Sequence, residues 1–221
     1  MKRAAALLLA LSLADGLLGA GCQQVDAPSP EPPPAVRVVA VLPFADQTGG
    51  STFDADEFAN LFASELVRAG GVRVIRPAQI RAAGEEISTA DDAIRIGRRV
   101  RADAVLACAI TEYDPYDPPR VAVSAQYLRV AAGPRSGLDL DRLLQSGSWR
   151  KGPLAMSRAG AAHAMLAFEE VFDSRERDTR AAIRQYVQGR GETEGEVLAV
   201  QSRYLQFVSS RMISRVLAYG S

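Results

Sequence analysis

The run Val36-Arg37-Val38-Val39-Ala40-Val41-Leu42, closed by Pro43, constrains the fold more than any other stretch of the chain. A strand with one wet face alternates apolar and polar side chains, whereas a nearly unbroken β-branched run belongs to a strand covered on both faces. Cover on both faces means helices on either side of a sheet, and the sequence supplies them. After the turn Asp46-Gln47-Thr48-Gly49-Gly50, Asp54 and Glu57 form a capping-box pattern. Phe58, Leu61, Phe62 and Leu66 follow at helical spacing up to the stop at Gly70-Gly71. This predicts a helix over residues 54–69, packed on a sheet in which residues 36–42 are the central strand.

The remaining segments continue the alternation. Residues 72–75 read as a short second strand ended by Pro77, and Thr89-Ala90-Asp91-Asp92 opens a helix with Ala93, Ile96, Gly97 and Val100 on one side. Residues 103–111 are a third strand. The turn Asp114-Pro115-Tyr116-Asp117-Pro118-Pro119 leads into an antiparallel partner over residues 121–130. Residues 131–158 lack a sustained period and read as an irregular loop, with one short helical turn at 138–144. Residues 163–172 read as a fifth strand, although 161–170 could be helical on propensity alone. Residues 177–188 are helical with Ile183, Tyr186 and Val187 inward. Val197, Val200, Tyr204, Val208, Met212 and Val216 then define one long C-terminal amphipathic helix of about 36 Å. The expected fold class is α/β: a mixed, about five-stranded sheet flanked by helices, in a single domain over residues 36–219.

The amino terminus carries a separate signal. Lys2 and Arg3 precede the apolar run 4–14 and then Leu17-Leu18-Gly19-Ala20-Gly21-Cys22, the layout of a secretory signal and too short for a spanning helix. A cysteine directly after Gly19-Ala20-Gly21 resembles a bacterial lipobox, with Gly19 where Leu is usual and Leu18 one place early. The resemblance implies that residues 1–21 are cut away as a lipoprotein signal peptide and that Cys22 is acylated. An ordinary signal peptide with an incidental cysteine is the alternative. By the same resemblance, Gln23 rather than Asp after the cysteine implies an outer-membrane address, facing the periplasm. Residues 22–35 hold Pro28, Pro30, Pro32, Pro33 and Pro34; this extended segment, with a reach of roughly 40 Å, reads as a stalk holding the folded part off a membrane, or could itself dock in a proline-binding groove. Loss of Lys2, Arg3 and Asp15 with the signal would leave 24 basic and 25 acidic residues.

Composition excludes several classes. With 26 Lys+Arg against 26 Asp+Glu there is no basic excess for nucleic acid. Two cysteines cannot make a disulfide scaffold, and a single histidine leaves no multi-histidine metal site. The phosphate-loop, dinucleotide and nucleophile-elbow motifs are missing from the sequence, so neither cofactor nor catalytic residue is expected. Asp46-Gln47-Thr48-Gly49 is not the Asp-Thr-Gly of aspartic proteases, because Gln47 is inserted; Asp46 and Thr48 are expected to bond local backbone. His163 is expected at a strand end, and Cys108 as a small buried hydrophobe.

Val41-Leu42-Pro43-Phe44 with Asp46 and Thr48-Gly49, the helix carrying Phe58 to Leu66, Val72-Arg73-Val74-Ile75 and Ala102-Asp103-Ala104-Val105-Leu106 together resemble a group of envelope lipoprotein domains. These are the LpoB, curli-secretion (CsgG) and TolB amino-terminal kinds. The resemblance covers about residues 36–131. It implies a non-enzymatic module that binds envelope proteins, activates a peptidoglycan synthase or oligomerises. Shared positions are core and turn residues, so it carries over no contact residue.

The candidate contacts come from the residues themselves. Tyr113 and Tyr116 flank or sit on a Pro-rich turn, where aromatics either meet a partner or pack on the sheet edge. Arg95, Arg98 and Arg99, with Arg101, form a basic cluster that could meet lipid headgroups or a cell-wall polymer, or be a solvated helix face. The expected function is that of a lipid-anchored protein-binding or assembly module, with a cell-wall synthesis or secretion component, or a second copy of the chain, as partner. The alternative is a subunit of an oligomeric outer-membrane channel. That would need added membrane strands of about 9 to 11 residues, which residues 131–158 do not supply.

Overall fold

The computed structural model describes residues 35–50, 53–82, 84, 86–131 and 152–220. Cys22, the tether and the helical turn expected at 138–144 lie outside them.

The sheet has six strands: β1 (Val38–Val41), β2 (Ala45–Asp46), β3 (Arg73–Ile75), β4 (Ala104–Asp114), β5 (Arg120–Arg129) and β6 (Ala164–Asp173). Their order is β3-β1-β4-β5-β6, with β2 beside β4 beyond the end of β1. Strands β1, β2, β3 and β4 run parallel, while β4, β5 and β6 form an antiparallel meander. The mixed α/β architecture is therefore as expected, with one displacement: the middle strand is β4, not β1. Strand β1 lies between β3 and β4, and β4 takes the middle because it pairs with β1 on one side and β5 on the other; Pro43, with no amide to donate, ends β1 at Val41. Leu42 still donates to the Leu106 carbonyl at 2.9 Å, and β2 resumes the pairing along the far half of the longer β4.

Period-two alternation sends neighbouring residues of β1 to opposite layers. Val39 and Val41, with Leu106, Cys108 and Ile110 of β4, pack under α1 (Ala55–Ala69), α5 (Arg177–Val187) and α7 (Gln201–Gly220). Ala40, Leu42, Val105 and Ala107 face α2 (Pro77–Arg81) and α3 (Ala90–Arg99). Both faces of β1 are dry, as its composition requires. Asp54 caps α1 by accepting from the amides of Asp56 and Glu57 at 3.0 and 2.9 Å, and Thr89 and Asp92 close a reciprocal box at the start of α3. Helix α3 approaches the sheet at Gly97, where a Cβ would lie 2.5 Å from Val130 Cγ2 and 2.6 Å from Val105 Cγ2.

Strand β6 settles the ambiguity over residues 161–170. The short helix α4 (Arg158–Ala161) ends before it, and β6 pairs with β5 from Ala164 to Asp173, so ladder bonds override local helix propensity. The C-terminal helix departs from expectation. It is two helices, α6 (Glu194–Ala199) and α7, joined at Val200, which has φ −111° and ψ 109° and is 42% exposed. Val200 sits on the sequence stripe without pointing inward; Val197 and Tyr204 on either side are buried. Among the described residues no helix is long and apolar enough to cross a membrane.

Candidate functional site

Parallel pairing gathers the starts of β1, β3 and β4 at one end of the sheet, together with Ala35, where the described chain begins. The opposite end carries the β4–β5 turn, the loop after β2 and the first turn of α1. Each candidate contact residue among those described falls at or near one of these two ends.

At the far end, the structure separates the two tyrosines. Tyr116 stands on the turn 79% exposed, its amide donating to Asp114 Oδ1 at 3.1 Å. Tyr113 instead packs against Phe53 with ring centroids 4.4 Å apart, and joins the core cluster. Burial raises the pKa of its hydroxyl, an effect that nearby Gln201 opposes. Only Tyr116 is therefore placed as an open contact. Beside Phe53, a groove of about 510 Å³ runs between α1 and the α6–α7 elbow. Phe53, Phe58, Leu61 and Leu205 give it an apolar floor, Val200 one wall, and Asp54 and Glu57 an acidic rim. Sequence spacing missed this groove because its walls come from segments some 140 residues apart. The one local sign was Val200, an apolar residue that a break in the helix turns outward.

Acidic groups at this end are tied into local bonds. Asp46 Oδ1 accepts from the amide and hydroxyl of Thr48 at 2.9 and 2.7 Å, and Thr48 Oγ1 accepts from Gly50, as expected. Those bonds lower the Asp46 pKa. Asp56 is lowered by its ion pair with Arg81. Asp173 accepts from Arg175 at 2.6 Å, which holds its pKa at about 2. Asp92, hydrogen-bonded by Thr89 and then by Arg95, is likewise held at about 2.

The arginines of α3 are also separated. Arg95 pairs with Asp92 Oδ1 at 2.7 Å, in the cap network. Arg98 and Arg99 lie exposed at the other end of the helix, where Arg98 and Arg129 flank a concavity of about 310 Å³ with Ala35, Ala102 and Asp103. The sequence had no means of joining Arg37 and Arg73 to them, since only parallel pairing brings Arg73 opposite Val38. His163 lies at the start of β6, its Nδ1 2.8 Å from the Arg129 carbonyl oxygen. Cys108 is buried among apolar residues, which pushes its thiol pKa up. Among the described residues no group of His, Cys, Asp and Glu is arranged to hold a metal ion.

No protein-family model matches the chain, and no curated protein matches it either. Solved structures do. The Neisseria meningitidis lipoprotein GNA1162 is 13% identical over 82% of this chain and 99% of its own, with a TM-score of 0.41. The hypothetical protein CT253 of Chlamydia trachomatis is 14% identical over 84% and 98%, with a TM-score of 0.42. The C-terminal domain of Escherichia coli LpoB is 16% identical over 64% and 85%, with a TM-score of 0.40. The solved structures similar to this chain thus include a bacterial lipoprotein and a domain of the LpoB kind.

Proposed function

We propose that the protein is a lipid-anchored, non-enzymatic envelope module that binds another envelope protein from the periplasmic side of the outer membrane. The observation that carries this reading is the opposition of the two ends. The chain leading from Cys22 joins the domain at Ala35, while Tyr116 and the groove beside Phe53 lie at the other end of the sheet. A domain tethered at one end and carrying an exposed tyrosine and an apolar groove at the other presents its contact surface away from the membrane. Large aromatics at well-packed positions supply most of the binding energy in protein interfaces.

Two measurements test the reading. Metabolic labelling with a palmitate analogue should mark the wild type, and Cys22→Ala should be unlabelled and lost from the membrane fraction. Equal membrane partition of that variant would reject the anchor. A photocrosslinking residue at position 116 should capture one envelope protein, and Leu61→Glu in the groove should weaken that capture at unchanged thermal stability. Capture indifferent to the groove variant would reject the contact surface.

A further inference from the structure

We infer that the tether end of the domain is a seat for an anionic phospholipid surface, with Arg37, Arg73, Arg98 and Arg101 as its contacts. The inference deepens the proposed function and rests on its lipid anchor at Cys22.

Backbone geometry brings the four together. Arg73 is the first residue of β3 and pairs with Val38, and its amide donates to the Arg37 carbonyl at 2.7 Å. Asp103 donates its amide to the Val38 carbonyl at 2.8 Å, which places Arg101, two residues earlier, at the same end. Arg98 borders the concavity that also contains Ala35. All four are exposed, and none takes part in the ion pairs among the described residues. Asp103, a carboxylate that borders the same concavity, is engaged in accepting from the amides of Arg37 and Val38 at 2.9 and 2.8 Å.

Two helix-to-strand turns lie at this end. The turn after α1 takes positive φ at Gly70 and Gly71, 77° and 82°, where glycine is the unstrained choice. The turn after α3 takes φ 55° at Arg101, an arginine held in a conformation that disfavours a side chain. The carboxyl end of a helix attracts cations, which would account for Arg98. It does not account for Arg37 and Arg73, which begin strands.

The tether selects the occupant. Twelve residues lie between Cys22 and Ala35, an extended reach of about 40 Å, so an acylated cysteine would hold this end, rather than the far one, within that distance of the headgroups and let it settle on them. Guanidinium groups fork onto phosphate oxygens, and an anionic leaflet attracts such residues within a Debye length of its surface.

The test uses the processed chain, residues 22–221, produced without acylation, in flotation with vesicles. It should rise with phosphatidylethanolamine vesicles containing about a third phosphatidylglycerol, and not with phosphatidylcholine vesicles; raising salt from about 50 to 500 mM should release it. Each arginine removed should lower the partition roughly fivefold, so that the quadruple Arg→Gln variant falls to background. The Arg37→Gln, Arg73→Gln pair leaves α3 untouched and should lose roughly 25-fold. A folded wild type that ignores anionic vesicles, or that is retained only on an acidic polypeptide matrix, would overturn the seat. So would a folded quadruple variant that floats like the wild type. Because no acyl group is present, either failure leaves the Cys22 anchor to be judged by labelling alone.

Discussion

The two ends of the sheet handle charge in opposite ways. At the far end, Asp56 and Asp173 meet arginines, Asp46 is bonded by Thr48, and Asp54 caps α1. At the tether end, four exposed arginines stand outside every ion pair among the described residues. Equal totals of acidic and basic residues conceal this, because a net charge of zero describes a sum and a partner meets a surface. Paired charges at one end hold loops in place. Those left over at the other are available to something outside the chain.

The strongest way to break the contrast is to displace α3. Gly97→Ala drives a methyl into Val105 and Val130 and should cost about 1 to 3 kcal/mol, read as a lower midpoint in chemical denaturation. An unchanged midpoint would mean that α3 does not rest on the sheet at Gly97. Asp103→Ala comes next: loss of two backbone bonds should cost about 1 to 2 kcal/mol, yet vesicle flotation should rise because a negative charge has left the tether end. Loss of stability without gain in flotation would separate Asp103 from the basic surface.

Acid distinguishes the ends without mutation. Asp92 and Asp173 have folded pKa values of about 2 against an ordinary 3.8, so the folded state binds the proton less readily than the unfolded chain. Their contribution is complete above about pH 5 and disappears as pH falls through 4 toward 2. Denaturation midpoints should drop over that window, and less steeply in Asp173→Asn. Arginine charge does not change there, so the exposed guanidiniums keep their charge while the bonds of Asp92 and Asp173 weaken. The smallest stability effect belongs to Arg101→Gly, which relieves the left-handed backbone while removing a contact. Its thermal midpoint should hold within a few degrees while flotation falls roughly fivefold. A drop in midpoint would show that the Arg101 side chain supports the fold.

Legibility in the sequence followed the range of the interactions. Residues 54–69 were readable as a helix because Asp54, the apolar spacing and Gly70-Gly71 are all local signals. The doubly covered β1 was readable from its own composition. That β4 would be the middle strand was not, since the apolar runs 36–42 and 104–110 both signal burial on two faces and neither says which strands pair at its edges. Val200 kept the spacing of a continuous helix and so hid the elbow. Tyr113 and Tyr116 look equivalent on one turn, and only the arrival of Phe53 from a distant loop covers part of the first. Of the basic surface, the sequence displayed the α3 half; Arg37 and Arg73 join it through strand register alone.

The middle position of β4 also orders events during folding. Strand β1 pairs with β4 at Val39–Ala104, so a chain emerging amino end first exposes its most apolar strand 65 residues before its partner arrives. Helix α1 and β3 come in that interval and can shield one face and one edge, but the β4 side of β1 stays open. Once β4 is made, β5 follows through a tight turn of low loop-closure entropy, and β6 joins through a longer connection. The parallel half therefore waits on the antiparallel half. Amides of β4 should be the last to exchange with deuterium in the native state, because they are freed only when both halves come apart.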